Sequence, residues 1–313
     1  MRKNVLITST SFQDTPGIHH EILKSQDWIC DYERGPLNED QIHKIIDKYD
    51  AVLCGDDDYT DKVLLKGSKA KLKLLSKYGV GLDKINLKSA EKYNIRVTNC
   101  PGINQVSVSE HVMALLLTFE KNIHHQYNSV IKFSWKRMIG NELKGKKIAI
   151  LGCGNIGKEV VKKCLAFEMK VNVFDLKKDN IFHEKYPEIK FFKCIESIIQ
   201  DSEIISLHLP LNESTNEIIN NRIITKFMNS KTLLINTARS GLIETKALIS
   251  SLKSNKIRGY LTDVLDDEPI KKENKMVRLS NVIITPHIGS RTYQNVVKQG
   301  LKAVNNLIDF FNL

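Results

Sequence analysis

The 313-residue chain has no apolar run near the roughly 18 residues a membrane span needs. Its opening, Met-Arg-Lys-Asn-Val-Leu-Ile-Thr, has no small-residue cleavage site behind its short apolar stretch, so no signal peptide is expected and the expected compartment is the cytoplasm. The six cysteines (Cys30, Cys54, Cys100, Cys153, Cys164, Cys194) make no Cys-x-x-Cys pair and no Cys/His zinc spacing. They read as reduced thiols in or near the core, with no metal site. No low-complexity segment and no repeat is visible. The 47 Lys and Arg exceed the 36 Asp and Glu by enough to give +11, yet no block of five or six like charges occurs. The lysines are scattered, mostly as pairs such as Lys146-Lys147 and Lys162-Lys163. That argues for a solvated surface suited to a small anion, with neither nucleic acid nor membrane as partner.

What is present is an ordinary globular composition, 42% apolar and 27% charged, at a length of about two domains. Continuous apolar runs predict strands at Asn4–Thr8, Ala51–Cys54, Leu72–Tyr78, Ile95–Asn99, Lys147–Leu151, Lys170–Asp175, Glu203–His208, Thr232–Thr237, Gly259–Val264 and Val282–Thr285. Runs without alternation suit strands buried on both faces of a parallel sheet, and the intervals between them are long enough for crossover helices. The fold class is α/β. Ser107-Val-Ser-Glu110 reads as a capping box opening an apolar helix through residue 120. Val297, Leu301, Val304, Ile308 and Phe311 space out an amphipathic closing helix. Between them, 121–143 is polar and mixed, an arm or connector containing Trp135 and Arg137.

Residues 146–175 carry the first chemical signal. Gly152-Cys-Gly154-Asn155-Ile156-Gly157 follows a strand, opens a helix, and precedes a second strand ending in Asp175. Gly152 permits the tight turn, Gly154 lets backbone approach a diphosphate, and Gly157 lets helix and strand pack closely. The helix N-terminus offers free N–H groups and a positive dipole to the phosphates. Asp175, 18 residues past Gly157, is placed to take the ribose hydroxyls and to repel a 2′-phosphate, so NAD is expected over NADP. Lys177 and Lys178 weigh in the other direction.

Three later strands end near an arginine, an acid and a histidine: Arg239 in Asn-Thr-Ala-Arg-Ser-Gly, Glu268 in Asp-Asp-Glu-Pro, and His287 in Thr-Pro-His-Ile-Gly. Open α/β sheets bind ligands beyond the carboxyl ends of their strands. Hydride transfer at a C–OH/C=O centre needs a histidine to move the hydroxyl proton, a carboxylate to orient it and favour its charged form, and an arginine to clamp an anion.

With these residues in order, the chain resembles the D-isomer-specific 2-hydroxyacid dehydrogenase family over nearly its whole length. The similar segments are Ser76–Ile85, Val97–Glu110, the glycine turn, Leu207-His-Leu-Pro210, Ile235–Gly241, Asp263 with Asp267-Glu-Pro269, and Thr285–Gly289. The resemblance implies two doubly wound, Rossmann-like parallel-sheet domains. The NAD-binding domain (101–287) is inserted into a flavodoxin-like substrate domain (1–100 plus 288–313), and 121–143 is the dimerisation arm of a homodimer. Arg239, Glu268 and His287 become the catalytic trio. The cofactor would meet Val80, Gly152, Gly154, Asn155, Ile156, Gly157, Asp175, Leu209, Pro210, Thr237, Ala238, Arg239, Asp263, His287 and Gly289. A small anionic 2-hydroxy or 2-oxo acid would meet Lys77, Tyr78, Gly79, Val80, Asn104 and Arg239.

The branch most alike is that of D-3-phosphoglycerate dehydrogenase, which makes 3-phosphoglycerate and 3-phosphohydroxypyruvate the leading substrates. Relatives specific for that substrate often carry an arginine in the loop where this chain has Gly55-Asp56-Asp57-Asp58. Lys136 or Arg137 of a partner's arm is the candidate replacement. Glyoxylate or hydroxypyruvate reduction in the same family is the alternative, and a dinucleotide-sensing corepressor is the reading from another class. NADH oxidation with 2-oxo acids separates them.

Overall fold

The apolar runs become parallel strands in two separate sheets. The structure is a computed structural model that describes residues 2–312; Met1 and Leu313, the ends of the expected substrate domain, lie outside the described residues. The chain divides into two compact units, Met1–Asn104 with Ser290–Leu313, and Gln105–Gly289. The junctions fall a few residues beyond 100 and 287 for a local reason. Gln105 starts a helix of the second unit, and Gly289 is hydrogen-bonded within that unit to Asp263 and Ser107.

In the first unit, β1 (Lys3–Ile7), β2 (Trp28–Tyr32), β3 (Ala51–Cys54), β4 (Leu74–Lys77) and β5 (Arg96–Thr98) form a sheet in the order β2-β1-β3-β4-β5. All its pairings are parallel. This is the flavodoxin-like order, with its switch point between β1 and β3. The closing helix, Tyr293–Phe311, lays Val296, Ala303, Val304 and Leu307 against Val5, Ile7, Leu53 and Leu74. Ser76 Oγ donates to Ala303 O at 2.8 Å, fixing the helix against β4.

The second unit contains β6 (Lys147–Leu151), β7 (Lys170–Phe174), β8 (Lys190–Phe192), β9 (Ile204–Leu207), β10 (Leu233–Asn236), β11 (Gly259–Thr262) and β12 (Val282–Ile284). Their order is β12-β11-β10-β9-β6-β7-β8, again all parallel. This is the doubly wound dinucleotide-binding arrangement with an added edge strand. Every expected strand is present; β2 and β8 are additional, and each is a sheet edge.

The apolar helix runs Gln105–Glu120, starting two residues before the expected capping box. Ser107 caps nothing: its Oγ donates to Gly289 O at 2.7 Å, because the residue lies inside the first turn and faces that loop. Within 121–143 a helix forms at Ile123–Ile131, and 132–142 has no regular structure. The return of this segment is anchored on Glu120, whose buried carboxylate accepts from Arg258 (Nη1, 3.0 Å) and Asn141 (Nδ2, 2.9 Å). Among the described residues no helix is long and apolar enough to cross a membrane.

Candidate active site

The glycine turn joins β6 to the helix Asn155–Ala166. Gly152 has φ +98°, a left-handed conformation that favours glycine, and a Cβ there would stand 2.6 Å from His208 O. A Cβ on Gly157 would stand 2.0 Å from Gly152 O, so helix and turn touch only because the side chain is missing. Gly154 differs: a Cβ there would meet nothing within 4 Å. It is the N-cap of the 12-residue helix, and among the described residues no side chain caps that end. Asp175, one residue past β7, accepts from Cys153 N–H at 2.7 Å through Oδ2 and from Lys177 N–H at 3.2 Å through Oδ1. The acid therefore braces the turn.

A dinucleotide fits these residues. The open space at Gly154 suits a diphosphate, the uncapped helix supplies donors, and the buried Thr237 hydroxyl after β10 has no hydrogen-bond partner. Leu209 and Pro210 follow β9, and Ala238 donates to Asn236 Oδ1 at 3.0 Å. His208 bonds Ser206 Oγ at 2.9 Å, and burial pushes its imidazole down to about 4.

Arg239, Glu268 and His287 follow β10, β11 and β12, three adjacent strands, all at their carboxyl ends. His287 Nδ1 lies 2.7 Å from Glu268 Oε2, and Glu268 Oε1 accepts Leu265 N–H at 2.8 Å. Both side chains remain about one-third exposed (35% and 37%), so the pair reaches solvent. Arg239 is half-buried; its Nη1 donates to Ala238 O at 2.7 Å, and its own carbonyl accepts Asn236 Nδ2 at 2.8 Å.

Asp263, one residue past β11, is tied to the loop that carries His287. It is buried, and both oxygens are engaged by loop 285–289. Oδ1 takes Thr285 Oγ at 2.6 Å and Ile288 N–H at 2.9 Å, and Oδ2 takes Gly289 N–H at 2.7 Å. Burial alone would raise its pKa; the hydrogen bonds of His111, Thr285, Ile288 and Gly289 outweigh that and hold it below the ordinary carboxylate value. His111 was not singled out by any motif. The legible signal was its position four residues after Ser107, on the same face of a helix.

In the first unit, Lys77 ends β4 and the turn Tyr78-Gly79-Val80 follows, with Gly79 at φ +135°. Val80 is exposed, and its carbonyl accepts Asn99 Nδ2 at 2.8 Å. The side chains of Lys77 and Tyr78 turn inward: Tyr78 OH reaches Val296 O at 3.3 Å. Lys77 is 3% exposed, with Nζ 2.6 Å from both Gly55 O and Asp56 Oδ1. Only the backbone of these two residues can face a ligand. Asn104, half-buried, is the last residue of that stretch of the unit. Asp57 is buried against Thr8, Leu37 N–H and Tyr59, and Asp58 pairs with Lys84 at 2.9 Å.

The profile of the D-isomer specific 2-hydroxyacid dehydrogenase, NAD binding domain, matches residues 113–289. Hydroxypyruvate reductase of Thermotoga maritima is 34% identical over 87% of this chain and 88% of its own. D-3-phosphoglycerate dehydrogenase of Methanocaldococcus jannaschii is 34% identical over 89% of this chain, which spans 53% of that protein's length. The crystal structure of D-lactate dehydrogenase from Aquifex aeolicus, complexed with NAD and lactic acid, superposes with a TM-score of 0.86 at 29% identity, covering 99% of this chain and 96% of that one. The glycine turn, its bracing acid and these relationships lead to one conclusion: the chain belongs to the D-isomer-specific 2-hydroxyacid dehydrogenase family and is an NAD-dependent oxidoreductase.

Proposed function

We propose that the protein interconverts a small D-2-hydroxy acid and its 2-oxo acid in the cytoplasm, as a homodimer, with Arg239, Glu268 and His287 as its catalytic residues. The observation that carries this reading is the 2.7 Å contact of His287 Nδ1 with Glu268 Oε2, in the same unit as the glycine turn. NAD, when bound, supplies or accepts the hydride. Gly152–Gly157 would hold its diphosphate, and Asp175 its ribose. Glu268 accepts the Nδ1–H hydrogen bond and fixes the ring's orientation, leaving Nε2 of His287 to give a proton to the carbonyl oxygen in reduction and to remove it in oxidation. Arg239 anchors the substrate's carboxylate and polarises its carbonyl. The Lys77–Val80 backbone and Asn104 are proposed as further contacts for the substrate.

For substrate identity, the Asp56–Lys77 pair favours hydroxypyruvate or glyoxylate over 3-phosphohydroxypyruvate. Lys77 is buried and engaged by Gly55 O and Asp56, so it is withheld from a phosphate. The similarity to a hydroxypyruvate reductase over most of both chains supports the same choice. NADH oxidation with hydroxypyruvate, glyoxylate, pyruvate and 3-phosphohydroxypyruvate tests it. The highest kcat/KM is expected with one of the first two. A preference for 3-phosphohydroxypyruvate overturns the substrate choice, and inactivity with every acid restores the corepressor reading.

For assembly, residues 123–139 leave Tyr127, Phe133, Trp135 and Ile139 well exposed, with Phe133 and Ile139 almost wholly so (101% and 96%). A row of apolar side chains of this size is the kind of surface that a second subunit covers.

A further inference from the structure

We infer that His111, together with Ser107 one turn earlier, is a positioning residue that sets the aim of the His287 ring through loop 285–289. The inference rests on the proposed role of His287.

The argument starts from the direction of the protons. Asp263 Oδ1 is ionised and can only accept, so the Thr285 hydroxyl, 2.6 Å away, spends its single proton there. Thr285 Oγ can then only accept from His111 Nε2 at 2.9 Å, which makes Nε2 the protonated ring nitrogen. His111 Nε2 also lies 3.4 Å from Asp263 Oδ1, so one N–H stabilises both the hydroxyl and the carboxylate. The chain of donors runs His111 to Thr285 to Asp263, and Asp263 holds Ile288 N–H and Gly289 N–H on the far side of His287. Ser107 Oγ closes the clamp on Gly289 O at 2.7 Å.

The loop needs such a clamp. His287 has φ +54°, a conformation uncommon for a non-glycine residue and kept only where the surroundings over-determine it. Its N–H bonds Thr285 O at 3.0 Å within the loop, and the fixed points on either side are Thr285, Ile288 and Gly289. If His111 loses its donor, Thr285 has a second acceptor at hand, Thr262 O at 3.4 Å, and the hydroxyl can leave Asp263. One anchor before His287 then loosens while the Glu268 contact pulls from outside. An apolar side chain could fill the space of the imidazole but would leave Thr285 Oγ and Asp263 Oδ1 without the N–H that both now share.

The test compares His111→Leu, His111→Gln, His287→Ala and the double variant His111→Leu/His287→Ala in steady-state reduction. His111→Leu should lower kcat by about 10- to 100-fold, the scale of a small misplacement of a catalytic group, with KM for NADH within about twofold. His111→Gln, which keeps a donor, should recover most of that loss. In the His287→Ala background, His111→Leu should cost nothing further, because its effect passes through the missing ring. Undiminished kcat in His111→Leu overturns the inference, as does an equal loss in the His287→Ala background or failure of Gln to restore the rate. Full activity in His287→Ala overturns the reading of His287 itself and the inference with it.

Discussion

Glu268 and His287 hold each other across 19 residues of chain, Oε2 to Nδ1 at 2.7 Å, while the other Glu268 oxygen accepts Leu265 N–H at 2.8 Å. The carboxylate cannot swing away from the imidazole without freeing a backbone donor, so the ring's orientation is tied to β11. Glu268→Gln should therefore lower kcat by about 10²-fold, since an amide oxygen can accept the Nδ1–H bond but carries no charge to stabilise the imidazolium, with NADH affinity unchanged. Steady-state rates beside a fluorescence titration of NADH decide it; an undiminished kcat removes Glu268 from the mechanism.

The glycines should separate by what a methyl group would meet. Gly154→Ala enters open space in the protein alone, so its thermal midpoint should match the parent while NADH binding weakens by more than about tenfold, or 1.4 kcal/mol. Gly157→Ala would set a Cβ 2.0 Å from Gly152 O and should destabilise the fold itself, by about 1–3 kcal/mol as overpacking does. Thermal melts with and without NADH test both; equal melting losses in the two variants contradict the assignment.

Asp175→Ala removes the proposed ribose partner and the brace on Cys153 N–H together. NADH affinity should fall by about 1–3 kcal/mol, the scale of charge-assisted hydrogen bonds, and the preference for NADH over NADPH should shrink. The kcat/KM ratio for the two cofactors in parent and variant measures this, and a parent that uses both equally defeats the expectation.

His208 titrates at about 4 when folded, depressed by burial, against about 6.5 in the unfolded chain. Between those values the unfolded chain binds the extra proton, so this contribution to stability is complete above about 6.5 and is lost as the pH falls toward 4. The loss approaches about 1.4 kcal/mol per pH unit at most for one such group. His208→Gln, which can still bond Ser206, should flatten that part of the stability curve in denaturant titrations from pH 7 to 4.5. An unchanged slope would assign the acid sensitivity elsewhere.

Light scattering of the parent should give twice 35.7 kDa, and charges at the arm, Phe133→Glu with Trp135→Glu, should give the monomer with its helical signal retained. A monomeric parent ends the dimer reading.

The interior strands were legible because residues buried on both faces must be apolar whatever surrounds them, as Ala51–Cys54 and Lys147–Leu151 show at their expected bounds. Of the four edge strands, β5 and β12 were legible as short apolar runs, and β2 and β8 were not. Each pairs on one side only, so Trp28–Tyr32 and Lys190–Phe192 carry the mixed polarity of half-exposed chain, and a neighbouring strand decides their conformation.

The same division runs through the site. The glycine turn, Asp175, Arg239, Glu268 and His287 were readable as residue types because their order follows strands and their chemistry is local to each. What they touch was not readable. Ser107 read as a helix cap and instead holds Gly289, Asp263 also braces loop 285–289, and Lys77 lies buried against Asp56. A hydrogen bond depends on two groups that the chain may separate by 182 residues, as with Ser107 and Gly289. Local sequence determines which atoms can donate or accept; only the packed sheets and the helix beside them decide which donor meets which acceptor.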